Sequence, residues 1–203
     1  MKTWEKSNAE IFWGEIAPCD HVIQIYDNDE EILNSLENFI DSGINAGDSV
    51  VIIATDNHID SLNKRLKKKH DLESLRTNDL YIPLSATDTL SKFMSVGWPN
   101  EKLFVDTISG IITRARGKDN RRIRAYGEMV AILWSQGYNG ATVQLEHLWN
   151  NLCKTETFCL FCAYPKSGFT QDIHQSIGHI CSMHTKIVSG ENNSKTEIFY
   201  KTV

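Results

Sequence analysis

The segment Ser49–Ala54 constrains the fold of this chain most, because it is a short, almost wholly apolar run without polar alternation. Such a strand is covered on both faces, as in the interior of a parallel sheet. Other short segments rich in β-branched or aromatic residues are also predicted as strands: His21–Tyr26, Leu80–Leu84, Ile123–Tyr126 and Phe158–Tyr164. The chain is therefore expected to build a sheet whose central strands are buried.

Amphipathic segments with helical spacing lie between these strands. After His21–Tyr26, the polar run Asp27–Asp29 caps a helix whose apolar residues fall on one face. Further helices are predicted at Asn57–Lys69, Ala86–Met94, Asn100–Ala115, Met129–Gln136, Gly140–Leu152 and Thr170–His184. This repeated strand-then-helix order predicts the α/β class, with a mainly parallel sheet and helices on both of its faces.

The charge and hydropathy of the chain limit its partners. A net charge of -5 and a pI near 5.8 argue against direct binding to nucleic acid or to an anionic membrane surface. No apolar run approaches the roughly 20 residues that span a bilayer, and the N-terminus lacks the apolar stretch of a signal peptide. We therefore expect a cytoplasmic protein whose cysteines are reduced thiols.

Charged and aromatic residues interrupt the apolar runs in a pattern typical of a ligand pocket. Open parallel sheets bind ligands at the carboxyl ends of their strands, where Tyr26 and Glu128 are expected. Glu128 could orient water, bind a cation, accept a ligand hydrogen bond or satisfy the amides of the next helix. The candidate ligand-binding residues are His21, Tyr26, Arg124, Tyr126, Glu128, Trp134, Glu146, Trp149, Cys162, Tyr164 and His184.

Three of these candidates are ionisable residues in apolar surroundings: Arg124, Glu128 and Glu146. Buried charges are tolerated only when they are paired. The sequence therefore predicts that the three side chains form one polar network at the carboxyl rim of the sheet. For Arg124 the alternative is a purely structural ion pair with Glu128 or Glu146.

Two cysteine-containing pairs, Cys159-x2-Cys162 and Cys181-x2-His184, have the spacing of zinc ligands. Residues three apart on a strand point to opposite faces, so Cys159 and Cys162 are not expected to share one metal ion. No metal ligands are therefore assigned. His21, Cys162 and His184 could still converge on a pocket.

The chain lacks the motifs of the common nucleotide-binding and hydrolytic sites. It has no G-x4-G-K-[ST], G-x-G-x-x-G, G-x-S-x-G or H-E-x-x-H, and the turn Thr55–His58 has no glycine cradle or lysine for phosphate. We therefore expect no catalytic residues, and classical nucleotide hydrolysis is disfavoured.

Several short motifs occur together in a set more specific than any single one. They are His21–Tyr26, Phe39–Gly43 with Gly47-Asp48, Arg124–Glu128 with Leu133-Trp134, Leu145–Asn150, Cys162–Pro165 and Ile180–His184. As an ordered set they resemble the MEDS domain, the sensory domain named for methanogens, methylotrophs and the regulator DcmR. The resemblance divides the chain into an N-terminal extension (1–20), a sensory domain (21–188) and a C-terminal tail or edge strand (189–203).

The resemblance implies a fold similar to the RecA and KaiC class of P-loop proteins, without a functional phosphate loop. It also implies a sensor of small molecules such as hydrocarbon derivatives, and domains of this family often accompany histidine kinases or DNA-binding domains. Neither is attached here, so the expected partners are a small ligand, a separate regulatory protein and, as a further option, a second copy of the chain. No cofactor is specified.

Two alternatives to the sensor remain open. One is a nucleotide-binding relative of the RecA and KaiC ATPases in which Glu128 orients water. The other is a metal or thiol redox sensor that uses Cys162, Cys181 and His184.

Overall fold

A computed structural model describes residues 4–8, 13–168, 178, 180–190 and 196–201 of the chain. Its strands are β1 (Trp4–Asn8), β2 (His21–Tyr26), β3 (Ser49–Ala54), β4 (Tyr81–Ser85), β5 (Met94–Ser95), β6 (Trp98–Pro99), β7 (Ile123–Gly127), β8 (Cys159–Pro165), β9 (Lys186–Gly190) and β10 (Thr196–Lys201). Its helices are α1 (Asp29–Asn45), α2 (Asp56–Leu66), α3 (Leu72–Thr77), α4 (Ala86–Ser91), α5 (Glu101–Arg116), α6 (Met129–Ser135) and α7 (Asn139–Glu156), and a 3-10 turn spans Lys166–Gly168.

The main sheet has the strand order β1-β10-β9-β2-β8-β7-β3-β4. From β9 to β4 all neighbouring strands are parallel, whereas β10 runs antiparallel to β9 and to β1. The predicted α/β class with a mainly parallel sheet is confirmed. Short β5 and β6 form a separate antiparallel pair. They and α3 were not predicted, because segments of this length carry little periodicity.

Two hydrophobic clusters cover the two faces of the sheet. On one face, here the α1 face, α1 and α2 pack with Trp13 against β3 and β8. On the other, here the α7 face, α4 to α7 pack against the same strands. Residues of β8 alternate between the clusters, so Cys159 lies on the α1 face and Cys162 on the α7 face, as predicted.

The predicted helix Thr170–His184 lies largely outside the described residues. Within the described part, residues 180–182 are helical and lead into β9. Backbone bonds fix this junction to β2, since the Thr185 amide donates to the His21 carbonyl over 2.7 Å. Among the residues described, no helix combines the length and hydrophobicity that crossing a membrane requires.

A buried ion pair on the α1 face explains one part of the motif set. Arg124 lies in β7 with only 2% of its surface exposed, and its Nε donates to Asp48 Oδ2 over 2.7 Å. Its Nη1 donates to the backbone oxygen of Trp13 over 2.6 Å. Gly43 leaves room for the guanidinium, because a Cβ there would lie 2.7 Å from Val50 Cγ2 and 3.0 Å from Arg124 Cδ.

Asp48→Ala is expected to lower the free energy of unfolding by about 3–5 kcal/mol, because it leaves the guanidinium of Arg124 buried without its carboxylate. Urea unfolding followed by circular dichroism measures the change. The matched control is Asp106→Ala, which breaks an exposed i,i+4 pair with Lys102 and should cost less than about 0.5 kcal/mol. Equal losses in the two variants would contradict a structural role for the Arg124–Asp48 pair.

Candidate functional site

A cleft opens at the carboxyl edge of the parallel strands, and we call it the rim cleft. Its volume is about 150 Å³. Residues that end or follow β2, β3, β7 and β8 form its floor, and α6 forms one wall. The lining residues are Tyr26, Thr55, His58, Glu128, Ala131, Ile132, Ser135 and Pro165. This is the edge at which open parallel sheets bind ligands.

The carboxylate of Glu128 is the charged group of the rim cleft, and it is 3% exposed. Its Oε2 accepts from the Thr55 amide over 2.6 Å, and its Oε1 accepts from Tyr126 Oη over 2.9 Å and from His58 Nδ1. Although Glu128 precedes α6, its side chain does not cap that helix. The interpretation of Glu128 as a group that satisfies the helix amides is therefore wrong, and its donors come from β3, α2 and β7.

The electrostatics of the rim cleft follow from this buried carboxylate. The hydrogen bond to Glu128 raises the pKa of His58, and Asp29, whose Oδ1 lies 3.6 Å from Nε2, raises it further against the opposing effect of burial. Burial, and then the charge of Glu128, raise the pKa values of Tyr26 and Tyr126 well above their usual range. Both phenols therefore stay protonated, and Tyr126 remains a donor.

The turn between β2 and α1 does not suit phosphate. The first turn of α1 carries the acidic residues Asp29, Glu30 and Glu31, and the amide of Glu31 is already bonded within the turn. Asn28 accepts from the Glu31 amide over 3.1 Å, and Glu31 in turn accepts from the Asp27 amide over 2.9 Å. A helix N-terminus binds anions through free amides and a positive dipole end, and here three acidic side chains would repel a phosphate group.

A second polar group lies on the α7 face, buried between β2, β8, α7 and the residues before β9. It consists of His21, Glu146, Cys162 and His184, each no more than 1% exposed, and we call it the buried cluster. His21 Nε2 lies 3.4 Å from Cys162 Sγ and 3.5 Å from Glu146 Oε2. His184 Nε2 lies 3.7 Å from the same Oε2, and the two imidazoles stack with centroids 3.9 Å apart.

Burial governs the protonation of this cluster. It raises the pKa of Glu146 to about 7, although the hydrogen bond from Tyr164 Oη acts in the opposite direction. Burial and then the nearby His184 lower the pKa of His21 well below its usual value, and burial raises that of the Cys162 thiol. A thiol held protonated is a poor nucleophile, which disfavours Cys162 as a simple thiol redox sensor.

The structure places most of the predicted site residues in the rim cleft or in the buried cluster, and the others outside both. Tyr26, Tyr126 and Glu128 belong to the rim cleft. The buried cluster takes in His21, Glu146, Cys162 and His184, with Tyr164 in contact. Trp134 and Trp149 pack nearby on the α7 face: Trp134 Nε1 donates to the Gly168 carbonyl, and Trp149 makes edge contacts with Phe104 and Phe158. Arg124 is in neither site.

The predicted network of Arg124, Glu128 and Glu146 is therefore wrong. Glu146 lies on the α7 face, and the sheet separates it from the other two. Arg124 lies near the start of β7, whereas Glu128 follows the last residue of this strand at the rim of the sheet. Each found a nearer partner, and that of Arg124 is Asp48 rather than either glutamate.

Sequence reasoning missed His58 as a site residue. Its only signal was its position in the first turn after a buried strand, where the rim prediction took in Thr55 and Asp56 but stopped short of His58. Ala131, Ile132 and Ser135 were missed too, because small and apolar residues on a helix look like core positions until the neighbouring strand ends are placed.

Comparison with known proteins gives a family and a fold. The model of MEDS, the MEthanogen/methylotroph, DcmR Sensory domain, matches residues 20–185. A KaiC-like protein from the hyperthermophilic archaeon Pyrococcus horikoshii OT3 superposes with a TM-score of 0.58 at 11% identity, over 91% of this chain and 79% of that chain. A second P. horikoshii OT3 protein, described only as a structural study, gives 0.55 at 14% identity, over 92% and 89%. No curated protein matches the sequence. The expected KaiC-like fold is confirmed.

His58→Gln is expected to remove a pH-dependent part of the stability. Because the folded-state pKa of His58 is raised above its unfolded value of about 6.5, the stabilisation is complete below that pH and is lost as the pH rises through the folded pKa. The wild-type melting temperature should thus fall more than that of His58→Gln between about pH 6 and about pH 8. Exposed His147→Gln is the control and should keep the wild-type profile. Parallel curves for wild type and His58→Gln would contradict the assignment.

Proposed function

The chain belongs to the MEDS family of sensory domains, and we propose that it is a non-catalytic sensor that binds a small molecule in the rim cleft and signals through a separate regulatory protein. The observation that carries this proposal is the rim cleft itself. It lies at the ligand-binding edge of a KaiC-like sheet, while the neighbouring β2–α1 turn is acidic and suits no phosphate.

The lining of the rim cleft supports a small ligand with an apolar body and one polar group. Tyr26, Ala131, Ile132 and Pro165 offer apolar surface, while Ser135 and the Glu128–His58 pair offer hydrogen bonds. Ligand pockets for drug-sized molecules measure roughly 300–1,000 Å³, and this cleft has about 150 Å³. A functionalised short hydrocarbon fits these limits better than a nucleotide.

The bonding of Glu128 supports binding rather than catalysis. Both of its oxygens already accept hydrogen bonds from the protein, so the carboxylate is a fixed element of the cleft wall. Three of its roughly four acceptor positions are engaged in this way, which leaves little capacity to take up a proton from a substrate or from a bound water. The ligand would meet the ring of His58 and the hydroxyl of Ser135.

A ligand changes a sensor only by binding two of its states with different affinity. The rim cleft lies between α6 and the end of β8, and Trp134 of α6 donates to Gly168 over 2.8 Å in the turn after β8. Filling the cleft would bias the packing of α6 against this turn. We infer that the output passes to the chain that follows Gly168, and from there to a histidine kinase or a transcription regulator.

A direct test uses ligand-detected NMR with a panel of short alcohols, amines, amides, carboxylic acids and halogenated hydrocarbons. Binding is expected to shift amides of α6 and the β3–α2 turn, and Ala131→Phe should abolish it by filling the cleft. Val105→Phe places the same ring at an exposed position of α5 that does not line the cleft, and should bind normally. A ligand bound equally well by Ala131→Phe would refute the rim cleft as the sensory site.

The protein is expected not to hydrolyse ATP in the presence of Mg²⁺, since the β2–α1 turn has acidic residues where a phosphate loop has glycines and a lysine. Release of inorganic phosphate measures this, with the buffer rate as reference. Magnesium-dependent hydrolysis that disappears in Glu128→Gln would replace the sensor with the ATPase alternative.

A further inference from the structure

The donor atoms of the buried cluster have the separations of a tetrahedral metal site. Zn²⁺ bonds nitrogen and oxygen at about 2.0–2.2 Å and sulfur at about 2.3 Å, so neighbouring ligand atoms in a tetrahedron stand about 3.3–3.6 Å apart. Three of the separations here are 3.4, 3.5 and 3.7 Å. One ligand atom from each of the four residues lies within 4.8 Å of all the others.

The surrounding contacts orient these donors towards a common centre. His184 Nδ1 donates to the Ile180 carbonyl over 2.8 Å, which fixes the proton on Nδ1 and leaves the lone pair of Nε2 facing Glu146. Tyr164 binds Oε1 of Glu146, while Oε2 accepts no hydrogen bond from the described residues. Outer hydrogen bonds of this kind hold the ligands of protein metal sites in place.

Without a cation this arrangement is unfavourable. Oε2 of Glu146 is fully buried and faces the ring nitrogens of two histidines and, beyond His21, a thiol. A buried polar atom without a hydrogen bond costs about 1–3 kcal/mol, and one proton on Glu146 can bridge only one of these pairs. A divalent cation would contact all four donors at once.

The charges also balance. A divalent ion with one carboxylate, one thiolate and two neutral imidazoles forms a site of zero net charge, which suits an environment where each donor is at most 1% exposed. The metal itself lowers the proton affinity of the thiol, so the raised pKa of free Cys162 does not oppose coordination. Two nitrogens, one sulfur and one oxygen favour zinc over magnesium or calcium, which prefer oxygen ligands.

We propose that His21, Glu146, Cys162 and His184 form a binding site for a divalent transition-metal ion, with Zn²⁺ the ion their donors fit best. All four positions are filled by protein, so the site is closed, as in structural rather than catalytic zinc centres. The ion would join β2, β8 and α7 to the segment that precedes β9. This site lies on the face of the sheet opposite to that of Tyr126. The proposal of a metal site does not depend on the proposal that the rim cleft binds a small molecule.

Cobalt substitution tests the site in the full chain. After dialysis against a chelator, about one equivalent of Co²⁺ is expected to give a thiolate-to-cobalt charge-transfer band together with the intense visible bands of tetrahedral coordination. Zn²⁺ should then displace Co²⁺ and abolish both. If wild-type protein shows no such bands, the proposal is overturned without any variant.

Matched variants test which residues bind the ion. For each type of ligand residue the chain also contains a buried residue of the same type outside the cluster, which serves as the control. Cys162→Ser should lose the charge-transfer band, whereas Cys159→Ser, equally buried on the opposite face of β8, should keep it. His184→Gln and Glu146→Gln should weaken Zn²⁺ binding at least about tenfold. Their controls, His58→Gln and Glu128→Gln, alter the rim cleft and should bind Zn²⁺ as wild type does.

Elemental analysis of protein purified without chelator gives an independent measurement, with about one zinc per chain expected. A charge-transfer band that persists in Cys162→Ser, or zinc bound equally by His184→Gln and His58→Gln, would overturn the assignment. The histidine and glutamate control variants for the metal site change residues of the rim cleft, whereas the ligand variants do not. A failure of the metal-site proposal is therefore distinguishable from a failure of the sensor proposal.

Discussion

The structure depends on the cost of burying ionisable groups in a sheet that is covered on both faces. A charge removed from water must find a partner within its own layer, because the backbone of the sheet separates the two layers. Arg124 finds Asp48 on the α1 face, and Glu128 finds three donors at the rim of the same strand. Glu146 meets Tyr164 and two histidines on the α7 face. Each of these arrangements holds several elements together.

The chain has a KaiC-like fold, and the side chains at the carboxyl edge of its sheet differ sharply from one turn to the next. The β2–α1 turn carries three acidic residues, and the amide of Glu31 is already bonded to the side chain of Asn28. At the end of β7 a buried carboxylate accepts three hydrogen bonds and borders an open cleft. The carboxyl edge of the sheet remains a concave surface whatever side chains line it, so those side chains and not the fold decide which ligands it suits.

The rim cleft and the buried cluster share two strands. β2 carries His21 at one end and Tyr26 at the other, and β8 carries Cys162 and, three residues later, Pro165. A change in the distance between β2 and β8 would therefore move residues of both sites. Physical continuity of this kind is a condition for coupling between sites, and a measured effect of zinc on ligand affinity would establish it.

The sequence by itself determined the α/β class, the strands β2, β3, β4, β7 and β8, most of the described helices, and the family, because hydrophobic periodicity and short motifs are local properties. It also placed Cys159 and Cys162 on opposite faces, since strand alternation is fixed by backbone geometry. It did not determine which charges meet. Asp48 lies 76 residues from Arg124 and Glu128 lies 70 from His58, and His21 and His184 come together only because β9 pairs with β2. Partner choice depends on strand order and on the face of each side chain, and only the tertiary structure decides these.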